Sequence, residues 1–288
     1  MDNKNTVEII TAENQDMHQE DIARLETAKY GLENISVVMQ GLNKVGNTIE
    51  SGLNKLSDDQ QKWISEKVNM VLLKLLKSNV ITMEKNKEFK EPSNLGYKTL
   101  VGLTGFGSGF VGSTNPVGAT IFVSELVLST RYILRSIMDI ARSEGENIYQ
   151  PETQLACLQV FALSGNFEDS ESMDTSYYGT RMTMAAAMRG ATSYLTKYGV
   201  SGLGRIMMTT GNPILQMIGL IATRLTIQIG EKFISQAVPV LGAAGGGALN
   251  YVFMDHFQQM AKSHFTIRNL EKKYGLEIVK SYYKQIEV

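Results

Sequence analysis

The chain reads as all-α: a multi-helix bundle with glycine-faced apolar helical hairpins and little or no β-sheet. Three observations predict this. No segment sustains the alternation of apolar and polar residues, bounded by turn residues, that marks a half-buried strand. Instead the sequence divides into stretches with apolar residues every three or four positions, several opened by a capping residue or proline and closed by glycine. Three uncharged runs, Thr99 to Ser124 (26 residues), Ile206 to Thr223 (18) and Phe233 to Met254 (22), supply apolar helices. Each of the three contains Pro, Gly or Asn, and spanning helices need about 20 mainly apolar residues, so packing or monotopic contact is expected rather than a full crossing.

Residues 1–20 are polar and acidic, a disordered leader without the apolar core of a signal peptide. Residues 21–56 form an N-terminal helical extension, with Leu25, Ala28, Leu32, Ile35, Met39 and Leu42 continuing a seam on one face. Glycines at 31, 41, 46 and 52 weaken it as an autonomous coiled coil, so it is expected to dock on the body of the protein or on a surface.

Residues 57–288 read as one helical domain. Ser57 caps a helix with Gln60 as its capping-box partner. Trp63, Val68, Val71, Leu72 and Leu75 share one side of that helix, with Lys62, Lys67, Lys74 and Lys77 beside them. Residues 84–94 are a charged linker, in which Pro92 ends any nearby helix. Gly102, Gly105, Gly109 and Gly112 then recur on one helical face, as Gly242 and Gly246 do later, each set a groove for close helix packing. The GFGSGFVG stretch lacks the Gly-Lys-Ser/Thr ending of a phosphate-binding loop. Asn115-Pro116 opens a helix that stops at Gly145; Pro151 opens the next, ending near Gly165; an acidic loop (167–174) leads to a helix over 177–198. Asn212-Pro213 and Pro239 open the last two apolar helices.

Composition excludes several functions. Net charge is −1 over 288 residues, so the chain has no electrostatic footprint for nucleic acid. Mean hydropathy of −0.10 is far from that of a polytopic membrane protein. A single cysteine, Cys157, forbids an intramolecular disulfide, suits a reducing compartment, and reads as a buried small apolar residue. A cytoplasmic protein is expected. No cofactor and no metal are expected either: His256 and His264 are eight residues apart, about 12 Å on one helix, too far for joint ligation.

The charged and polar candidates are Glu125, Arg135, Tyr178, Arg181, Asp255, His256 and Arg268. Glu125, on an apolar helix, needs a partner such as Arg131, Arg135 or Arg181 if buried. Tyr178 and Arg181, one turn apart, orient one another or an anionic headgroup. Asp255, His256 and Arg268 read as a polar cluster fixing the last helices. A hydrolase using Asp255, His256 and Glu125 is a third reading, although neither GxSxG nor HExxH occurs.

Two stretches carry a resemblance: RSIMDIARSEGENIYQPETQLACLQVFALSG (135–165), followed by Tyr178 and Arg181, and QAVPVLGAAGGGALNYVFMDHFQQMAKSHFTIRNLEKKYG (236–275). In wording and order they resemble the EcsC family of bacterial proteins, over roughly residues 25–280. The resemblance implies a helical protein of the cytoplasmic side, named for a neighbour of an ABC-transporter operon, and implies no reaction. The expected function is therefore a non-enzymatic, peripheral or monotopic membrane protein that binds lipid or a membrane-protein partner, with Lys62, Lys67, Lys74 and Lys77 meeting anionic headgroups. The alternative is a soluble scaffold that binds a protein partner, such as a transporter component, through the N-terminal seam.

Overall fold

The computed structural model describes residues 16–33, 59, 66–72, 74–75, 93–101, 116–163, 176–198, 214–222 and 239–287; for 116–123, 176 and 239–249 it describes the backbone alone. Among the described residues every regular element is an α-helix. They are α1 (Gln19–Glu33), α2 (Pro116–Ser143), α3 (Pro151–Leu163), α4 (Ser176–Tyr198), α5 (Pro239–Tyr274) and α6 (Leu276–Gln285). Further helical stretches cover 66–72, 94–101 and 214–222.

Proline sets the helix starts: Pro116, Pro151 and Pro239 each occupy the first helical position, where a missing N–H costs nothing. Glycine sets two of the stops. Gly145 (φ 83°) ends α2 in a Schellman motif, the Glu146 N–H donating to Ala141 O (2.9 Å) and the Gly145 N–H to Arg142 O (3.0 Å). Gly275 (φ 90°) turns the chain from α5 into α6.

α5 is the axis. Its 36 residues run about 54 Å, and α1, α2, α3 and α6 all pack against it. α3 is enclosed by α2, α4 and α5, with every residue from Thr153 to Leu163 buried. A helix apolar on all sides belongs in the interior, and this one does. Phe161 of α3 meets Phe257 of α5 edge-on at 4.9 Å between ring centroids, and Cys157 beside it is fully buried.

The N-terminal seam docks on the body. Leu25, Ala28 and Leu32 are buried, and α1 lies along α5. Gly31 permits the approach, because a Cβ there would fall 2.5 Å from Ser263 Oγ of α5. Lys29, 3% exposed, donates from Nζ to Tyr283 O (3.1 Å) and Ile286 O (2.8 Å), closing carbonyls at the end of α6. Of the expected leader, residues 1–15 lie outside the described residues, whereas Met17 is buried and α1 begins at Gln19. The rest of the seam, 34–56, lies outside the described residues.

The amphipathic segment expected over 60–78 also differs from its reading as a lipid-facing helix. Val68, Val71, Leu72 and Leu75 are at most 2% exposed, so its apolar side is committed to the core. Lys74 is exposed and Lys67 half-buried; Lys62 and Lys77 lie outside the described residues, as do Gly102, Gly105, Gly109 and Gly112. Gly242 and Gly246 lie in the backbone of α5.

The α1–α5 crossing gives a double-mutant test. Gly31→Ala should destabilise the protein by about 1–3 kcal/mol through overpacking, and Ser263→Ala, which removes the clashing oxygen, should recover part of that loss. Urea midpoints of the two single variants and the double variant measure the coupling; strict additivity would refute the contact.

Candidate functional site

Polar chemistry is concentrated where α3, α4 and the C-terminal half of α5 meet. Arg181 projects from α4 and forms a fork on Glu271 of α5, with Nη1–Oε1 at 2.6 Å and Nη2–Oε2 at 2.7 Å. Its Nη1 also donates to Tyr177 OH at 3.3 Å, and its guanidinium carbon lies 5.2 Å from the Tyr177 ring centroid and 5.5 Å from that of Tyr178. Burial opposes the charge of Arg181, but Tyr177 and the Glu271 carboxylate more than offset it, so the group is held firmly protonated. Burial likewise pushes both tyrosine hydroxyls well above their ordinary range.

Behind this pair, Tyr177 OH and His264 Nδ1 are 2.9 Å apart. His264 is fully buried, and burial, together with the positive charges of Arg181 and Arg268, drops its pKa well below the ordinary 6.5. It is therefore a neutral imidazole. One turn along α5, Arg268 donates from Nε to Glu146 Oε1 (3.0 Å) and from Nη2 to Glu152 Oε1 (3.1 Å). Glu146 also pairs with Lys272 (2.8 Å) and accepts from Thr153 Oγ1 (3.0 Å). Burial works against its charge, but Lys272 and Arg268 prevail and lower its pKa.

Between α3 and α4 runs an open groove of about 500 Å³, lined by Arg181, Arg189, Arg268 and Glu152 with Gln159, Thr192 and other residues of α4. It therefore holds three guanidiniums against one carboxylate. Arg189 is exposed and has no ion-pair partner among the described residues.

The residues expected to form one polar cluster fall into separate places, because Asp255 and Arg268 are 13 positions apart on a continuous helix, about 20 Å along its axis. Arg268 pairs with the α2–α3 turn, whereas Asp255 pairs with Lys98. Glu125 is buried and accepts from Asn250 Nδ2 at 2.8 Å, the same amide reaching Val101 O at 3.0 Å. An amide of α5, which the sequence reading did not name, is thus one of its partners. Arg135 lies near Tyr97, whose hydroxyl donates to Asp139 at 2.6 Å. His256 is buried against the Phe257 ring, 5.4 Å between centroids. None of these contacts joins Glu125 to Asp255 or His256, the set a hydrolase reading requires. Tyr178 and Arg181 do come together, as their spacing implied.

The signature of the EcsC protein family matches residues 39–270. The chain therefore belongs to the EcsC family. Neither the curated proteins nor the solved structures yield a match.

Two outcomes are expected. Arg181→Ala should cost about 3 kcal/mol by stranding the half-buried Glu271 carboxylate, and Arg181→Lys should restore little, since an ammonium cannot reproduce the fork; chemical denaturation measures both. His264 is neutral when folded, whereas the unfolded chain takes up a proton near pH 6.5. Stability should therefore fall as pH drops below about 6.5, by up to about 1.4 kcal/mol per pH unit from this residue. His264→Asn should flatten that slope in denaturation midpoints measured from pH 7.5 to 5.5.

Proposed function

We propose that this EcsC protein is a non-enzymatic helical binding protein that works on the cytoplasmic face of a membrane, resting on lipid by one end of its bundle. One observation carries the reading. The 94–101 helix, the middle of α2 and residues 250–255 of α5 meet through the Lys98–Asp255 pair and through Asn250, which bridges Val101 and Glu125. Within one turn of these contacts lie Leu95 (70% exposed), Leu100, Leu128 and Tyr251 (41% exposed). Described parts of the uncharged runs 99–124 and 233–254, residues 99–101, Ser124 and 250–254, lie at these contacts. Exposed leucines, a tyrosine and a lysine together suit the boundary between headgroup and acyl chain, where apolar bodies bury and polar tips stay wet.

No described helix is long and apolar enough to cross a membrane, so contact at this end would be superficial. The mechanism differs from insertion of the 60–78 helix, because Val68, Val71, Leu72 and Leu75 of its apolar side are already packed. Lys67 and Lys74 retain an electrostatic role in it, as cations facing an anionic surface.

Flotation tests the reading. Purified protein should rise with vesicles containing phosphatidylglycerol more than with neutral phosphatidylcholine vesicles, and less so at high salt, where surface charge is screened. Leu95→Asp combined with Tyr251→Asp should reduce the floated fraction severalfold, with the circular dichroism spectrum unchanged. Flotation that is absent for the parent protein, or equal in the folded double variant, would exclude this surface and favour the partner-binding scaffold.

A further inference from the structure

We propose that the groove between α3 and α4 is a binding site for a phosphomonoester, with Arg181, Arg189 and Arg268 as its anion-recognising residues. The inference is independent of the apolar end described above.

The groove is built from a repeating stripe of one helix. Arg181, Ala185, Arg189 and Ser193 follow at intervals of four along α4, with Met188 and Thr192 beside them, and all six line the cavity. α3 supplies Glu152 and Gln159, two turns apart, and α5 supplies Arg268. The cavity, about 500 Å³, falls within the range of small-molecule sites. Ala185 and Met188 give it an apolar patch for the body of a ligand.

The donors are held in place before any ligand arrives. Arg181 is fixed by Glu271 and Arg268 by Glu146, and neither carboxylate lines the groove. Their side chains are only 18% and 12% exposed, so the two guanidiniums stand in a partly desolvated wall. Arg189 brings a planar fork with no competing carboxylate among the described residues. Thr192 and Ser193 add hydroxyls and Gln159 an amide. The open fork of Arg189, with the N–H edges that Arg181 and Arg268 do not spend on their carboxylates, suits the several terminal oxygens of a phosphomonoester better than the two of a carboxylate.

Glu152 is the internal competitor. Its side chain is 64% exposed and takes one Nη2 bond from Arg268 at 3.1 Å. An exposed ion pair of this kind contributes little, so an incoming phosphate can displace it and recruit that donor.

The same phosphate group occurs on free phosphate esters and on the headgroup of phosphatidic acid, and the experiment separates them. Titration calorimetry with glycerol 3-phosphate is one arm, and flotation on vesicles with or without phosphatidic acid is the other. Arg189→Glu is the key variant, since Arg189 supports no described contact and its loss should leave thermal stability unchanged. Saturable binding in either arm, weakened at least about tenfold by Arg189→Glu and strengthened by Glu152→Gln, supports the site. Which arm responds identifies the source of the phosphate. No saturable binding in either arm, or binding that Arg189→Glu leaves unchanged, overturns it. Leu95→Asp with Tyr251→Asp should spare glycerol 3-phosphate binding, so failure at the apolar end and failure of the groove are read separately.

Discussion

A long central helix that carries polar side chains along most of its length is tied to its neighbours through them, and these ties organise the molecule. α5 presents Asn250, Asp255, Gln258, Lys262, Arg268, Glu271 and Lys273 in order along its length. Their counterparts come from different elements: Glu125 and Ser136 of α2, Lys98, Glu144 and Glu146 of the α2–α3 turn, Arg181 of α4 and Asp21 of α1. Hydrophobic burial drives these helices together but is indifferent to small slides along the axis. The polar pairs are directional and costly to leave unmade, so each one fixes the height at which its helix meets α5. Asp21 shows the strength of one such rung: hydrogen bonds from Lys273 and Tyr274 hold its carboxyl down to about 2 despite its burial.

The helices themselves were largely legible in the sequence because their signals are local. Pro116, Pro151 and Pro239 at helix starts, Gly145 at a stop and the seam of Leu25, Ala28 and Leu32 are read from a few neighbouring residues. The pairing of polar residues was not legible, since it depends on which turns face one another. Arg181 and Glu271 are 90 positions apart, and no local pattern marks Glu271 among the charges of its segment. The opposite error occurred at 66–75: its amphipathic pattern is the same for a lipid-facing and a core-facing helix, and Val68, Val71, Leu72 and Leu75 face the core. Lys29 was missed because a lysine in a helix normally reads as solvated, whereas here it closes the carbonyls of α6.

The division of labour among the charges follows from the same geometry. Arg181 of α4 and Arg268 of α5 are fixed by the carboxylates of Glu271 and Glu146, and both line the α3–α4 groove, which those carboxylates do not. Belonging to the EcsC family supplies no reaction against which to test this arrangement, so the groove and the apolar end stand on their own chemistry. Each uses a different part of the bundle, and neither asks α5 to move.

Lys29 also ties the order of events in folding to the order of synthesis. Its two acceptors lie 254 and 257 positions later in the chain, and the Asp21 contacts with Lys273 and Tyr274 span 252 and 253. At translation rates of about 5–20 residues per second, α1 waits on the order of ten seconds or more between its emergence from the ribosome and that of the surface it covers. During that interval the apolar edge formed by Leu25, Ala28 and Leu32 lacks the α5 surface it packs on, and the glycine that later admits Ser263 keeps α1 a poor helix on its own. α1 is thus made long before the surface that locks it, and a nascent chain stalled before α5 is complete would expose it to chaperones rather than store it folded.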